Sequence, residues 1–137
     1  MANKLEPGLE AQESFLVEEK HLASVVGSGL VDVFSTAMMI GGMESAAVAA
    51  VQSYLNPEET TVGVHVNVEH KAATPLGMKT TFYARLLEVS ANGKGLKFRV
   101  EARDEAELIG EGLHHRVIVN KKKFENRATA KLERLKS

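Results

Sequence analysis

The hydrophobic pattern of the chain changes once, from a long apolar block to a series of alternating segments. Residues 33–55, with the sequence VFSTAMMIGGMESAAVAAVQSYL, are almost all apolar or small. Ser35 or Thr36 can cap a helix here, and Asn56-Pro57 ends it, because proline disfavours helix at the residue before it. The pattern predicts one helix from Thr36 to about Leu55, roughly 30 Å long at 1.5 Å per residue.

One carboxylate interrupts this apolar helix. Glu44 is the one charged residue between Asp32 and Glu58. A helix that is apolar on most of its circumference is buried, so we expect Glu44 to be carried into the interior with it. A buried carboxylate is paired, hydrogen-bonded or shifted in pKa, and catalytic carboxylates are prepared in the same way. Glu44 is therefore either structural, paired with Arg116 or a histidine, or functional.

Beyond Thr61 the hydrophobic period becomes two, which is typical of half-buried strands. The alternating positions are Val62, Val64, Val66 and Val68 in the first strand, Thr80, Phe82, Ala84 and Leu86 in the second, and Leu96, Phe98, Val100 and Ala102 in the third. Asn92-Gly93 predicts a tight hairpin between the last two. A fourth strand is predicted from about Leu108 to Asn120, where Gly110 and Gly112 indicate a bulge or the close approach of another backbone.

The segment before the helix is less regular. Gln12 to Ala23 is a predicted strand with Phe15 and Val17 on one face, and residues 24–32, rich in glycine and serine, are a predicted loop or short lid. One early strand, one buried helix and a meander of four strands predict an antiparallel sheet wrapped around one long central helix. This is an α+β domain of the hot-dog type.

The whole chain, residues 1–137, is long enough for one such domain, with residues 1–10 as a flexible lead-in and residues 121–137 as a basic C-terminal tail or short helix. A single curved sheet covers only part of an apolar helix. We therefore expect a second copy to cover the rest, in a homodimer or a higher homo-oligomer.

Composition narrows the function. There is no cysteine, which excludes disulfides and thiol catalysis. The first 120 residues hold 10 Lys and Arg against 16 Asp and Glu, so nucleic acid is a poor partner for the body of the chain. Glu44, Gln52 and the Gly41-Gly42 pair argue against a membrane-spanning helix. The start of the sequence lacks the apolar run of a signal peptide, which predicts a cytoplasmic location.

Three polar residues lie in the most apolar surroundings, namely Thr36, Glu44 and His70. His70 occupies the next alternate position after Val62, Val64, Val66 and Val68, at the end of the first alternating strand, where a solvated histidine has little reason to be. Thr36 and Glu44 are eight residues apart, some 12 Å along a helix, so a bend, a ligand or a partner has to bridge them. Each has a simpler alternative role: Thr36 as a helix cap, Glu44 as a paired structural carboxylate, and His70 as a strand-closing hydrogen-bond partner. The pair His114-His115 alternates between faces, which makes it a poor metal site.

Three segments carry a family resemblance: VFSTAMMIGGMESA, TVGVHVNVEHKAATP and GEGLHHRVIVNKKKF. In this spacing they resemble the hot-dog thioesterases that include the fluoroacetyl-CoA thioesterase, over about residues 10–125. The resemblance implies that Thr36, Glu44 and His70 form the catalytic group and that Gly63 donates its backbone N–H to the thioester oxygen. It also implies a substrate-binding or dimer-interface role for Arg116.

The implied reaction is hydrolysis of a small or medium acyl-CoA to a free acid and CoA. Glu44 acts as nucleophile or general base, His70 exchanges a proton, Thr36 holds the acid or water, and no metal or cofactor other than the CoA of the substrate is needed. Two alternatives stay open on the same fold: an acyl-CoA hydratase or dehydratase, and an acyl-CoA-binding module without catalysis. The lid of the fluoroacetyl enzyme carries two phenylalanines, whereas residues 24–32 contain no aromatic residue.

Overall fold

The computed structural model describes residues 4–136 and contains one antiparallel five-stranded sheet. Its strands are β1 (Glu10–Leu16), β2 (Glu59–His70), β3 (Lys79–Val89), β4 (Gly95–Asp104) and β5 (Leu108–Asn120). Their spatial order is β1-β3-β4-β5-β2. The predicted sheet with one long central helix across it is confirmed.

The central helix, α2 (Thr36–Val51), starts at the predicted residue. Ser35 is its N-cap, because its hydroxyl accepts a hydrogen bond from the backbone N–H of Met38 at 3.1 Å. The alternative role of Thr36 as the helix cap is therefore wrong, and its hydroxyl is left for another partner. A 3₁₀ turn (Gln52–Tyr54) follows α2, so helical structure ends close to the predicted Leu55.

The core lies between α2 and the strands β3 and β4. All eight alternating side chains predicted to face inward on these two strands are buried: Thr80, Phe82, Ala84, Leu86, Leu96, Phe98, Val100 and Ala102. Gly42 lets the helix approach the sheet, since a Cβ at this position would lie 2.6 Å from the ring of Phe82. The hairpin turn is also as predicted, with Gly93 at φ +76°. The helix packs mainly on β1, β3 and β4.

Strand β2 lies at the edge of the sheet, beside β5, and makes fewer contacts with the helix than β1, β3 or β4 does. Val64 is 58% exposed and Val66 is 40% exposed. The prediction that the four valines form one buried face is therefore wrong within one chain. The register of β2 against β5 shifts at Val64, so Val62 and Val66 are not on the same face, and the helix makes few contacts with this strand. Gly110 and Gly112 mark the predicted close approach of a backbone: added Cβ atoms would lie 2.9 Å from the carbonyl oxygen of Glu69 and 2.2 Å from that of Asn67.

The N-terminal region departs from its prediction. The strand ends at Leu16 rather than Ala23, because a capping box between Glu18 and His21 turns the chain into a 3₁₀ turn (Glu19–His21). A one-turn helix, α1 (Ala23–Val26), follows and ends at Gly27, whose φ is +94°. Phe15 and Val17 do face the core, as predicted.

Residues 24–32 comprise most of α1 and the loop that follows it, and hydrogen bonds join the two ends of this segment. The backbone N–H of Ser24 donates to the carbonyl oxygen of Val31 at 3.2 Å, and the side chain of Ser24 is hydrogen-bonded to Asp32. Several apolar side chains of this lid loop face solvent, and Leu30 is 99% exposed. The predicted lid is thus a compact loop with an apolar outer surface.

The chain ends in a helix, α3 (Lys121–Lys136), whose side chains are all exposed. It contains Phe124, Ala128, Leu132 and Leu135 at the predicted helical spacing. Residues 1–3 of the predicted lead-in, and Ser137, lie outside the described residues, while the carbonyl oxygen of Leu9 already accepts a hydrogen bond from Leu86. None of the helices described between residues 4 and 136 is long and apolar enough to cross a bilayer.

Candidate active site

The first polar pair of the site joins the start of α2 to the end of β2. Oγ1 of Thr36 lies 2.7 Å from Nδ1 of His70. The pair forms because Ser35 has taken the capping role and because His70, the last residue of β2, faces the helix N-terminus. Thr36 and His70, 34 residues apart in sequence, are thus brought together as the resemblance implies.

The other ring nitrogen of His70 is unusually placed. Nε2 is buried and makes no hydrogen bond of normal geometry with any residue from 4 to 136. Burial lowers the pKa of His70 below its ordinary value of 6.5, and the backbone of Ala72 opposes this shift to a smaller extent. The ring is therefore mainly neutral at pH 7. A neutral imidazole held at Nδ1 has Nε2 available to accept or donate a proton, depending on the tautomer.

A cleft of about 390 Å³ adjoins this pair. It is lined by Thr36 and His70, by residues that follow β2, and by Ser28, Gly29 and Val31 of the lid loop. The predicted lid therefore borders the Thr36–His70 pair.

The second polar group is centred on Arg116 of β5. Arg116 is 6% exposed, and its guanidinium makes four contacts. Nε donates to the hydroxyl of Thr61 at 2.8 Å, and Nη2 donates to the carbonyl oxygen of Thr61 at 2.9 Å. Nη1 lies 3.2 Å from Oε2 of Glu44 and 3.1 Å from Nε2 of His114. Burial lowers the pKa of Arg116, while Glu44 raises it, and the guanidinium remains charged.

His114 is a neutral, fixed partner in this group. A guanidinium only donates hydrogen bonds, so Nε2 of His114 accepts from Arg116. The proton of the ring is therefore on Nδ1, which donates to the carbonyl oxygen of His65 at 2.8 Å. Burial is the main cause that lowers the pKa of His114, and the charge of Arg116 adds to it. Nε2 of His114 lies 3.9 Å from Glu44, too far for a hydrogen bond.

Sequence reasoning did not place His114 in the site. From the sequence, His114 was considered only as half of the His114-His115 pair. The pattern that could have placed it in the site is its spacing of two residues from Arg116. Two residues apart on one strand, their side chains share a face.

Gly63 completes the second group. A Cβ at this position would lie 2.6 Å from Oε2 of Glu44, 3.1 Å from Cε1 of His114 and 3.3 Å from Nη1 of Arg116. The absence of a side chain lets the carboxylate of Glu44 rest against the backbone of β2. The register of β2 against β5 shifts directly after Gly63, at Val64, which is typical of a β-bulge.

Within one chain the predicted residues form two groups. Thr36 and His70 meet at one end of β2, whereas Glu44 lies with Gly63 and Arg116 nearer the other end. The side chain of Glu44 is 40% exposed. The prediction that α2 buries it is wrong within one chain, because Glu44 lies toward the uncovered edge of the sheet. The predicted pairing of Glu44 with Arg116 is present.

These groups offer a carboxylate, an imidazole and a hydroxyl. Among residues 4–136, no three His, Asp or Glu side chains converge as metal ligands would. A larger groove of about 980 Å³ runs along β1 and β3, and its lining includes none of the five predicted site residues.

Comparison with known proteins agrees with the predicted family. A family model described as fluoroacetyl-CoA-specific thioesterase matches residues 17–122. A fluoroacetyl-CoA thioesterase from Streptantibioticus cattleyicolor is 42% identical over 93 residues, or 68% of this chain. Those residues are 66% of the relative's length, slightly under two thirds.

Solved structures agree over more of the chain. The fluoroacetyl-CoA thioesterase FlK superposes with a TM-score of 0.88 at 32% identity, covering 94% of this chain and 98% of that one. A thioesterase-superfamily member from Thermus thermophilus superposes with a TM-score of 0.85 at 29% identity, covering 96% of each chain.

The antiparallel sheet around one helix is therefore the hot-dog fold of the thioesterase superfamily, as predicted from the sequence. Within that superfamily the chain belongs to the family of fluoroacetyl-CoA-specific thioesterases.

Proposed function

We propose that this protein hydrolyses an acyl-CoA thioester to a free acid and CoA, at a site completed by two copies of the chain. Family membership supports the reaction class. One observation supports the shared site: the exposed edge strand β2 has Gly63 beside Glu44 at one of its positions and His70 beside Thr36 at another.

The edge of β2 is suited to pairing with a second copy. Val64 and Val66 are exposed between the two groups, and an unpaired strand edge invites another strand. In an antiparallel pair with a two-fold axis between Val66 and Asn67, Gly63 lies opposite His70 of the partner subunit. The Thr36–His70 pair of one protomer then meets the partner's Glu44, and the symmetric arrangement gives a second site.

The chemistry follows from the groups so assembled. Glu44 attacks the thioester carbonyl carbon or takes a proton from an attacking water, and the Gly63 N–H stabilises the oxyanion. The carbon–sulfur bond then breaks and the CoA thiolate leaves. If Glu44 is the nucleophile, a water molecule hydrolyses the acyl-Glu44 anhydride to the free acid, and neutral His70 takes the proton of that water and passes it to the thiolate. If Glu44 is the base, the proton that it took from the attacking water reaches the thiolate through His70. Thr36 holds the imidazole through Nδ1. Arg116 holds the carboxylate of Glu44 and is itself held by Thr61 and His114.

The first experiment is a thiol-release screen across short, branched and aromatic acyl-CoAs, with the Glu44→Gln variant beside the unchanged protein. Glutamine keeps the shape and removes the charge, so the dimer should stay folded while turnover falls by about 10² or more. Near-normal hydrolysis by folded Glu44→Gln protein would contradict the role of Glu44. An enoyl-CoA consumed without thiol release would indicate a hydratase instead.

A second experiment tests the shared site. Glu44→Gln and His70→Gln proteins, each expected to be nearly inactive, are mixed, unfolded and refolded together. Half of the randomly formed dimers are mixed, and each holds one intact site if the groups come from different protomers, so about a quarter of normal activity should return. If each site lies within one chain, no mixed dimer has an intact site and no activity returns.

A further inference from the structure

The helix α3 carries a cluster of cations that the described chain leaves without carboxylate partners. Its residues include seven Lys and Arg against two Glu. All of its side chains are exposed, and Lys136 forms an ion pair with Glu133 at 4.0 Å. Among residues 4–136, no ion pair is made by Lys121, Lys122, Lys123, Arg127 or Lys131.

In the rest of the chain, most Lys and Arg side chains have a carboxylate partner. Most of the ten Lys and Arg before residue 121 are within 4.0 Å of a carboxylate: Lys20, Lys71, Lys94, Lys97, Arg99, Arg103 and Arg116. The body is also acidic overall, with 16 Asp and Glu. The five unpaired cations of α3, Lys121, Lys122, Lys123, Arg127 and Lys131, therefore form a positively charged strip on an otherwise acidic protein. Such a strip attracts a polyanionic group.

The position of α3 relates this strip to the site. Strand β5 carries Arg116, which holds Glu44, and α3 begins directly after its last residue, Asn120. Arg116 and Lys121 are five residues apart, or about 17 Å along an extended strand. In CoA, about thirteen bonds separate the thioester sulfur from the first phosphorus, a reach of about 15 Å with covalent dimensions like those of a polypeptide. The span from Arg116 to Lys121 is therefore similar to the reach of CoA from its sulfur to its first phosphorus.

We propose that the N-terminal half of α3 binds the phosphates of the CoA moiety, through Lys122, Lys123 and Arg127. CoA has a pyrophosphate and a 3′-phosphate, and both match the ammonium and guanidinium groups of this strip. The inference rests on the proposed thioesterase function for its ligand, but it concerns recognition of the nucleotide end and not the reacting carbonyl.

The test measures binding of free CoA by calorimetry, so it does not depend on turnover. The unchanged protein is compared with the variant Lys122→Gln/Lys123→Gln/Arg127→Gln, because glutamine keeps helix propensity while removing charge. The control variant Lys4→Gln/Lys79→Gln/Lys97→Gln has the same change in net charge elsewhere on the surface. Circular dichroism and sedimentation check that both variants keep the fold and the assembly.

We expect the Kd for CoA to rise at least tenfold in the α3 variant and less than twofold in the control. The rise should shrink at high salt, which screens exposed charges. Removing the 3′-phosphate, in dephospho-CoA, should weaken binding to the unchanged protein and have a smaller effect on the α3 variant. If hydrolysis is detectable, the N-acetylcysteamine thioester of the same acid should be hydrolysed equally by both proteins, since it lacks the nucleotide.

Three results would overturn the proposal: equal CoA affinity in the α3 variant and the unchanged protein, an equal loss in the control variant, or ATP binding to α3 as tightly as CoA. The last would show a general polyphosphate site. Loss of CoA binding in a protein that hydrolyses no thioester would leave this inference standing and reject the proposed reaction, so the two failures are distinguishable.

Discussion

Substitution of Gly63 by alanine gives a sharp test of how the site holds Glu44. The new Cβ would lie 2.6 Å from Oε2 of Glu44, and ordinary contact begins at 3.4 Å, so the carboxylate has to retreat by 0.8 Å. Its contact with Nη1 of Arg116 is already 3.2 Å long and would not survive a retreat away from the guanidinium. The carboxylate is the free end of a flexible side chain, so the strand itself has little need to move.

The magnitude follows from the displacement. A misplacement of about 1 Å in a catalytic group can cost on the order of 10² in rate. We therefore expect Gly63→Ala to lower kcat by roughly 10² with a small change in KM. Stability should change less than activity, because the other neighbours of the new Cβ, Cε1 of His114 at 3.1 Å and Nη1 of Arg116 at 3.3 Å, have to move by only a few tenths of an ångström. Alanine keeps the backbone N–H, so the loss reports the position of Glu44 more than the loss of an oxyanion donor.

The assay is thiol release at saturating substrate, with thermal unfolding measured on the same samples. Gly41→Ala is the matched control: apart from the adjacent residues and the backbone of its own helix, no atom lies within 4 Å of its added Cβ, and it should keep full activity and gain up to about 1 kcal/mol in stability. In the Glu44→Gln background, Gly63→Ala should cause no further loss, since both act on one group. A Gly63→Ala enzyme with kcat within threefold of normal would refute this reasoning.

Further predictions concern the Thr36–His70 pair and the lid. Thr36→Val should lower kcat about tenfold without loss of stability, whereas Ser35→Ala, which removes the cap, should lower the free energy of unfolding by about 1 kcal/mol and keep kcat. Because burial lowers the pKa of His70 below its ordinary value of 6.5, the imidazole stays neutral to lower pH, so the decline of kcat/KM with falling pH should lie below 6.5. The same shift makes the unfolded chain bind this proton more readily, so His70 also reduces stability as pH falls through its folded pKa. The lid loop has no aromatic residue, so fluoroacetyl-CoA and acetyl-CoA should differ by less than about 10³ in kcat/KM, once the greater lability of the fluorinated thioester is allowed for.

Much of the fold was predictable because local pattern and tertiary environment agree in its centre. Strands β3 and β4 lie directly under α2, so their alternation of apolar side chains reports burial. The start of α2 was predictable from its capping residues, although the sequence did not decide between Ser35 and Thr36. That choice depends on His70, 34 residues away, which engages the threonine hydroxyl.

The errors occur where burial is decided by distant parts of the chain. The valines of β2 have the alternation of a buried face, but the register shift at Val64 breaks that face: Val68 packs against the core, while Val64 and Val66 are exposed. A single sequence shows neither this shift nor where the helix will lie. The same limit explains why Glu44 is more exposed than predicted. The contacts of Arg116 join three elements. Its pairing with Glu44 was one of the predicted alternatives, whereas its contacts with Thr61 and His114 were not predicted, and the alternate positions of His114 and Arg116 on β5 were the one signal for the latter.

The separation of the two groups within one chain leads to a last prediction, on dilution. If each site takes Glu44 from one protomer and the Thr36–His70 pair from the other, a monomer holds no complete site. Specific activity should then fall as the protein is diluted, with the same midpoint as dissociation of the dimer seen by sedimentation. Val64→Lys places a charge on the exposed edge strand and should shift both midpoints to higher concentration, whereas Leu30→Lys, at a 99% exposed position of the lid loop, should shift neither. Full activity in a dilute sample shown to be monomeric would contradict the shared site, and the catalytic groups would then have to meet by movement within one chain.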